Sequence, residues 1–468
     1  MKTADTYSSG YKRKNKGVAW CGIIVVFLLF VNCENFTDIE PPETQLVSAS
    51  VFEDDQTAVS VLTGIYTRMM TSTGFASGFY DSVTVVGGLY ADELVNYGTF
   101  NPFFDNEVLP DNSTVRLRFW SEPYQYIYTA NTVLEALAVS DGVSKEVRHQ
   151  LKGEALFIRA FCYFYLVNFF GDVPLHLTTD YRENATRSRT PEEEVYKQMI
   201  SDLKEAQTLL SEDYSFSDGE RTRPNAWAAT ALLSRVYLYV QDWTKAEEQS
   251  SAIIGHTSLY ELNSDLSTVF LKNNKEAIWQ LMPVQPGINT WEGYRFILSS
   301  VPPRTQGLSN WARDAFEPGD YRKDVWIGSI TDGTQTWYYP DKYKIRLGSA
   351  LTEYSMVFRL AEQYLVRAEA RAQQGNITGA QQDLNVVRNR AGLENTIAVT
   401  QAALQDAVMH ERRVELFAEW GHRWLDLKRT GRADNVLTPV KPGWDTSDIH
   451  FPIPQEELLR NPNITPNH

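Results

Sequence analysis

Apolar residues recur at steps of three and four over residues 54–70, where Ala58, Val61, Leu62, Ile65, Tyr66 and Met69 share one side. That spacing predicts a first amphipathic helix. The same period returns over 118–137 through Trp120, Tyr124, Ile127, Tyr128, Asn131 and Leu134. Three later segments share one register, an apolar run, then Arg, then a small or apolar residue. They surround Arg159, Arg235 and Arg367. Each opens a predicted helix that is followed, beyond a turn at Gly171, Gln241 or Gly375, by a second amphipathic helix. Two stretches lack helical spacing. Residues 71–114 are rich in Gly, Ser, Asn, Phe and Tyr and are expected to form a long excursion carrying exposed aromatics. Residues 262–354 hold Trp279, Trp291, Trp311, Trp326 and Trp337, with frequent Pro and Gly. There a short strand is expected at 277–282 and irregular chain elsewhere.

A helix–turn–helix unit of about 34 residues with small residues at the crossing points resembles the tetratricopeptide repeat. Such a pair cannot bury its apolar face alone, so neighbours stack. Counting 54–70 with 118–137 as the first pair, the chain is expected to be mainly α. It would be a tetratricopeptide-like helical-hairpin scaffold of about four units, with large loop-rich insertions at 71–114 and 262–354. The alternative is an ordinary helical domain whose helices look alike.

The N-terminus reads differently. Lys2, Lys12, Arg13, Lys14 and Lys16 precede an almost unbroken apolar run over 18–31, and Cys33 follows. A basic segment, an apolar run too short for a comfortable span, and a Cys resemble a bacterial lipoprotein signal. Residues 1–32 are thus expected to be a signal peptide and Cys33 the lipidated residue. Asn32 stands where Gly, Ala or Ser is usual. Residues 33–50, acidic and with Pro41 and Pro42, are expected to be a flexible tether.

The net charge of −15 argues against nucleic-acid binding, which needs basic patches. Removing residues 1–32 takes five basic residues and one acidic residue away and leaves −19. With Cys21 in the signal and Cys33 lipidated, Cys162 has no partner for a disulfide and reads as a small core residue. The chain lacks phosphate-loop, dinucleotide and zinc-protease motifs, and its seven His residues show no metal spacing. No catalytic residue, metal or cofactor is assigned.

The densest pattern is E-R-R-V-E-L-F-A-E-W-G-H-R-W-L-D-L-K-R at 411–429. On a continuous helix Glu411, Glu415 and Glu419 align and Arg423 continues the line, within reach of Glu419 and Asp426. Trp420 and Trp424 lie on an apolar stripe beside it. Each carboxylate has an Arg in reach, which holds its pKa down and favours a structural ion-pair lattice over acid–base chemistry. Gly421 marks a break or a close backbone approach.

This segment resembles the C-terminal signature of the SusD/RagB family through Glu411, Arg412, Glu415, Leu416, Glu419, Gly421, Arg423, Asp426 and Leu427, with Trp424 beside them. Trp420 departs from it by separating Glu419 from Gly421. F-G-D-V-P-L at 170–175, R-N-R-A-G-L at 388–393 and F-P-I-P at 451–454 match further motifs of that family, whereas the last residues, from Thr465 to His468, do not. The resemblance implies a lipid-anchored outer-membrane protein at the cell surface. Such a protein captures an oligosaccharide or other nutrient and hands it to a SusC-like TonB-dependent transporter. It also implies a 51–468 SusD-like domain.

Ring faces stack on sugar C–H surfaces and neighbouring amides take the hydroxyls. The candidate ligand residues are therefore aromatics and an amide on the two insertions: Tyr80, Asn96 and Tyr97 on the first, Trp291 and Trp311 on the second. The competing expectations are a secreted glycan-degrading enzyme and a helical-repeat scaffold that binds only protein or a non-sugar ligand.

Overall fold

The structure, a computed structural model, describes residues 51–467. The predicted signal, Cys33 and the tether lie outside the described residues. That helix, α1 (Asp55–Met69), starts where Asp54 accepts a hydrogen bond from the Thr57 amide at 3.0 Å and caps the first turn. The chain continues through α2 (Val83–Tyr90), β1 (Leu94–Asn96), a wide helical turn at Val115–Ser121 that runs into α3 (Glu122–Val139), α4 (Lys145–Phe170), α5 (Glu192–Leu209), α6 (Ala226–Tyr239) and α7 (Trp243–Gly255). Then come β2 (Ala277–Leu281), α8 (Trp291–Phe296), β3 (Gln306–Leu308), β4 (Ile327–Thr331), β5 (Thr336–Pro340) and β6 (Ser355–Arg359). The last part holds α9 (Leu360–Gln373), α10 (Ile377–Arg390), α11 (Gln401–Glu415), α12 (His422–Arg429) and α13 (Gln455–Arg460).

The fold is mainly α. Helices α3 to α7 and then α9 to α11 pack in series, each against the one before it. The repeated Arg is a bolt between helices. Arg159 grips Asp202 of α5 at 2.8 and 2.7 Å, Arg235 grips Glu362 of α9 at 2.6 and 2.8 Å, and Arg367 grips Asp383 of α10 at 2.9 and 2.6 Å. Paired forks of this kind are strong and orientation-specific. The first unit differs from its sequence reading. Helix α3 packs chiefly on α4, and α1 lies against both. Helix α4 is long and apolar enough to cross a membrane by composition, but its apolar window is wholly buried, so it is the core helix of this fold. Cys162 sits within it, fully buried.

The expectation for residues 71–114 is corrected. They contain α2, V-T-V-V-G-G-L-Y, in which every residue is buried. A helix surrounded by protein has no polar face, so its sequence shows no 3.6-residue period. A Cβ on Gly87 would lie 2.7 Å from the Gly421 Cα, so this first insertion crosses the 411–429 segment backbone to backbone. The strands form three separate antiparallel pairs, β1 with β3, β2 with β6, and β4 with β5. Four of the five Trp residues named in the second insertion are buried, and only Trp311 is exposed, at 58%. Both insertions are therefore folded layers, fixed to the helices by their rings.

Candidate functional site

The 411–429 segment is not one helix. Helix α11 ends at Glu415, Ala418, Trp420 and Gly421 take φ of 52°, 48° and 67°, and α12 resumes at His422. The break delivers Gly421 to Gly87 and turns Arg423 away from Glu419. Its guanidinium binds Asp92 instead, at 2.7 and 3.0 Å. Asp426 is held by Arg412 and Arg429, both at 2.8 Å. Glu411 faces Arg322 at 2.6 Å, and Glu415 faces Arg322 and Arg359 at 2.8 and 2.5 Å and also Arg390. Glu419 faces Arg359 and Lys342 at 2.8 and 2.5 Å. Trp424 is buried against Tyr90, ring centroids 4.8 Å apart.

The electrostatics follow from these partners. Burial alone would raise each carboxyl. Arg390, Arg359 and Arg322 outweigh it at Glu415 and hold it well below the usual range; Arg359 and Lys342 do the same for Glu419, and Arg412 and Arg429 for Asp426. At Glu411 burial prevails and the pKa is raised. Asp426 borders a cleft, where its two arginines keep it engaged.

Above this lattice a cavity of about 290 Å³ opens beside the β1–β3 pair and the β4–β5 hairpin. Leu94 pairs with Leu308 and Asn96 with Gln306, and the Tyr97 amide donates to the Thr305 carbonyl at 3.0 Å. Tyr97 and Trp311 line the cavity with Asn310, Gln335, Trp337 and Tyr338. Arg413 donates to Asp92 at 2.7 Å and to the Trp311 carbonyl at 2.9 Å, so the ion pairs position the exposed ring. Asp92 would be raised by burial, but Arg423 and Arg413 hold it low. Lys441, lowered by burial to about 8, donates to the Leu89 and Phe104 carbonyls at 2.6 and 2.8 Å. The cavity thus offers ring faces and free amides on Asn310 and Gln335, with its charges already engaged.

The other named residues lie elsewhere. Asn96 uses its side chain on Thr99, Gly98 and Gln306 within its own turn and strand pair and does not line the cavity. Tyr80 and Trp291 belong to a separate cluster with Phe79 and Tyr294. Tyr80 is covered on one face by Arg295 at 3.5 Å. As a ligand platform Trp291 is corrected: it is buried and its Nε1 donates to the Met70 carbonyl at 2.9 Å. Sequence reasoning did not select Trp337, Tyr338, Asn310 or Gln335. The run of three rings at 337–339 was the available signal for Trp337 and Tyr338, whereas Asn310 and Gln335 carry no comparable pattern. Among the described residues no group of three or more His, Cys, Asp or Glu side chains converges to hold a metal ion.

Two family models match the chain. One, described as starch-binding associating with outer membrane, covers residues 37–238, and the other, the SusD family, covers 311–468. SusD-like protein P25 of Formosa agariphila is 25% identical, with 94% of this chain and 96% of that protein aligned. The starch-binding protein SusD of Bacteroides thetaiotaomicron is 25% identical over 84% of this chain and 86% of that one. Among solved structures, a laminarin binding SusD-like protein superposes with a TM-score of 0.74 at 24% identity, covering 88% of this chain and 99% of its own.

Proposed function

Since the chain belongs to the SusD family, one of whose models is described as starch-binding associating with outer membrane, we propose that it captures an oligosaccharide at the cell surface and passes it to a SusC-like TonB-dependent transporter. The observation that carries this reading is the cavity at Trp311 and Tyr97. Two ring faces and two free amides suit a neutral polyhydroxylated ligand. The ligand is held, not cut. Glycoside hydrolysis takes two carboxyl groups flanking one bond, one of them protonated. This cavity presents Asp92 alone, kept ionised by two arginines. Of the residues first named, Tyr97 and Trp311 are the proposed ligand contacts, and residues 411–429 are their support.

Anchoring completes the proposal. Residues 1–32 act as a signal peptide, Cys33 carries the lipid, and 33–50 tether the 51–468 domain to the outer membrane. Affinity electrophoresis on amylopectin, laminarin and other glycans tests the binding claim. Retardation of the wild type, reduced by Trp311→Ala, with no new reducing ends after incubation, is the expected result. Absence of retardation on every glycan, or steady release of reducing ends, overturns it. Cys33→Ala is expected to release the protein from the membrane fraction; retention there rejects lipidation.

A further inference from the structure

A larger groove, about 670 Å³, lies between α3, the 172–190 loop and α13, and it shares no lining residue with the Trp311 cavity. Its volume falls in the roughly 300–1,000 Å³ range of ligand clefts, where the first cavity sits at the lower edge. Tyr124 and Tyr128 follow one another at i,i+4 on α3, and Tyr181 stands on the short helix Tyr181–Asn184. Tyr128 and Tyr181 are exposed at 54% and 76%. Two tyrosines left open beside one groove are unusual on a chain that buries most of its rings.

Two polar groups there are neutral and unfilled. The imidazole of His176 packs on Tyr124 with centroids 5.0 Å apart, and its Nε2 has no hydrogen-bond partner. Burial lowers His176 to about 4, so the ring is uncharged at neutral pH. Asn184 donates to the Thr178 carbonyl at 2.9 Å, which leaves its Oδ1 without a partner. Gln125 lies on the same wall. Of the lining cations, Arg460 faces Glu456 and Glu457 at 3.3 and 3.5 Å, and Arg68 donates to the Gln125 Oε1 at 3.5 Å without a carboxylate partner. One cation without a carboxylate partner gives a charged peptide or a phosphate little to pair with here. Ring platforms beside uncharged acceptors suit a polyhydroxylated, uncharged ligand.

We propose that this groove is a second glycan-binding site, which takes a neutral oligosaccharide segment across Tyr128 and Tyr181. The inference rests on the glycan-binding reading of the family. Two sites on one protein give a long glycan an advantage over a short one, because binding at one raises the effective concentration at the other.

The test uses the full chain with laminarin and amylopectin as probes. Tyr128→Ala with Tyr181→Ala, both exposed, is expected to weaken retention of the wild-type-binding polymer by about ten-fold. Binding of a short oligosaccharide at Trp311 is expected to stay unchanged. Hydrogen exchange on the unmutated protein is expected to show polymer-induced protection over 122–139 and 176–185. Unchanged polymer retention, or no protection there, overturns the second site and leaves the Trp311 reading standing. No retention of the wild type by either polymer overturns both. A double variant that keeps glycan binding but no longer copurifies with a membrane transporter assigns the groove to a protein partner and overturns the proposal.

Discussion

The lattice around residues 411–429 and the cavity above it use opposite chemistry within a few residues of each other. In the lattice, carboxylates and guanidinium groups are buried and matched, and Trp420 and Trp424 are enclosed. In the cavity the ring of Trp311 is open and its neighbours are uncharged amides. Asp92 and Arg413 join the two, because Arg413 holds both Asp92 and the Trp311 carbonyl. A region whose charges are all engaged has nothing left with which to bind cargo. A region of open rings cannot position itself. The comparison separates a frame from a grip, and substitutions on either side should affect different measurements.

The largest expected effect is on the frame. Arg359 contacts Glu276, Glu415 and Glu419 and is fully buried. Arg359→Met leaves these carboxylates short of a partner and is expected to cost about 3–5 kcal/mol in denaturant unfolding. The glycan affinity of the protein that remains folded should hardly change. A loss of stability below about 1 kcal/mol, the range of exposed pairs, would break the distinction.

Glu93 sharpens it through pH. Burial, then the nearby Asp92 charge, raises its pKa to about 8. A carboxyl with a raised folded pKa lends stability that is complete below its unfolded pKa, near 4.5, and is lost as pH rises through about 8. Glu93→Gln keeps the neutral form at every pH. The variant is expected to gain on the wild type by roughly 1–3 kcal/mol as pH rises from 5 to 8. A constant difference across that window contradicts the assignment. Gly87→Ala tests the backbone crossing at Gly421, where the added methyl would meet the Gly421 Cα at 2.7 Å. Overpacking of this kind costs about 1–3 kcal/mol, and its signature is a lowered Tm with an unchanged ligand profile.

The frame was readable in the sequence where its pattern was periodic. The shared register around Arg159, Arg235 and Arg367 marked helices, and in the structure each Arg ties its helix to a neighbour. Helix α2 was not readable, since burial on all sides removes the polar face that reveals a helix. The break between α11 and α12 was only half visible. Gly421 hinted at it, but the left-handed turns at Ala418 and Trp420 have no residue signature. Rings could be located in sequence, but their exposure could not. Trp291 and Trp311 look alike there, and tertiary packing buries one and opens the other.

Calorimetric titration of Trp311→Ala beside the wild type, with the glycan that retards the wild type most, tests the division of labour most directly. The ring is 58% exposed and its carbonyl, which Arg413 holds, survives the substitution. The expected result is affinity weaker by roughly ten-fold, about 1.4 kcal/mol, with Tm unchanged. Equal affinity in the two proteins, or a loss of affinity that merely follows a loss of stability, would contradict the account.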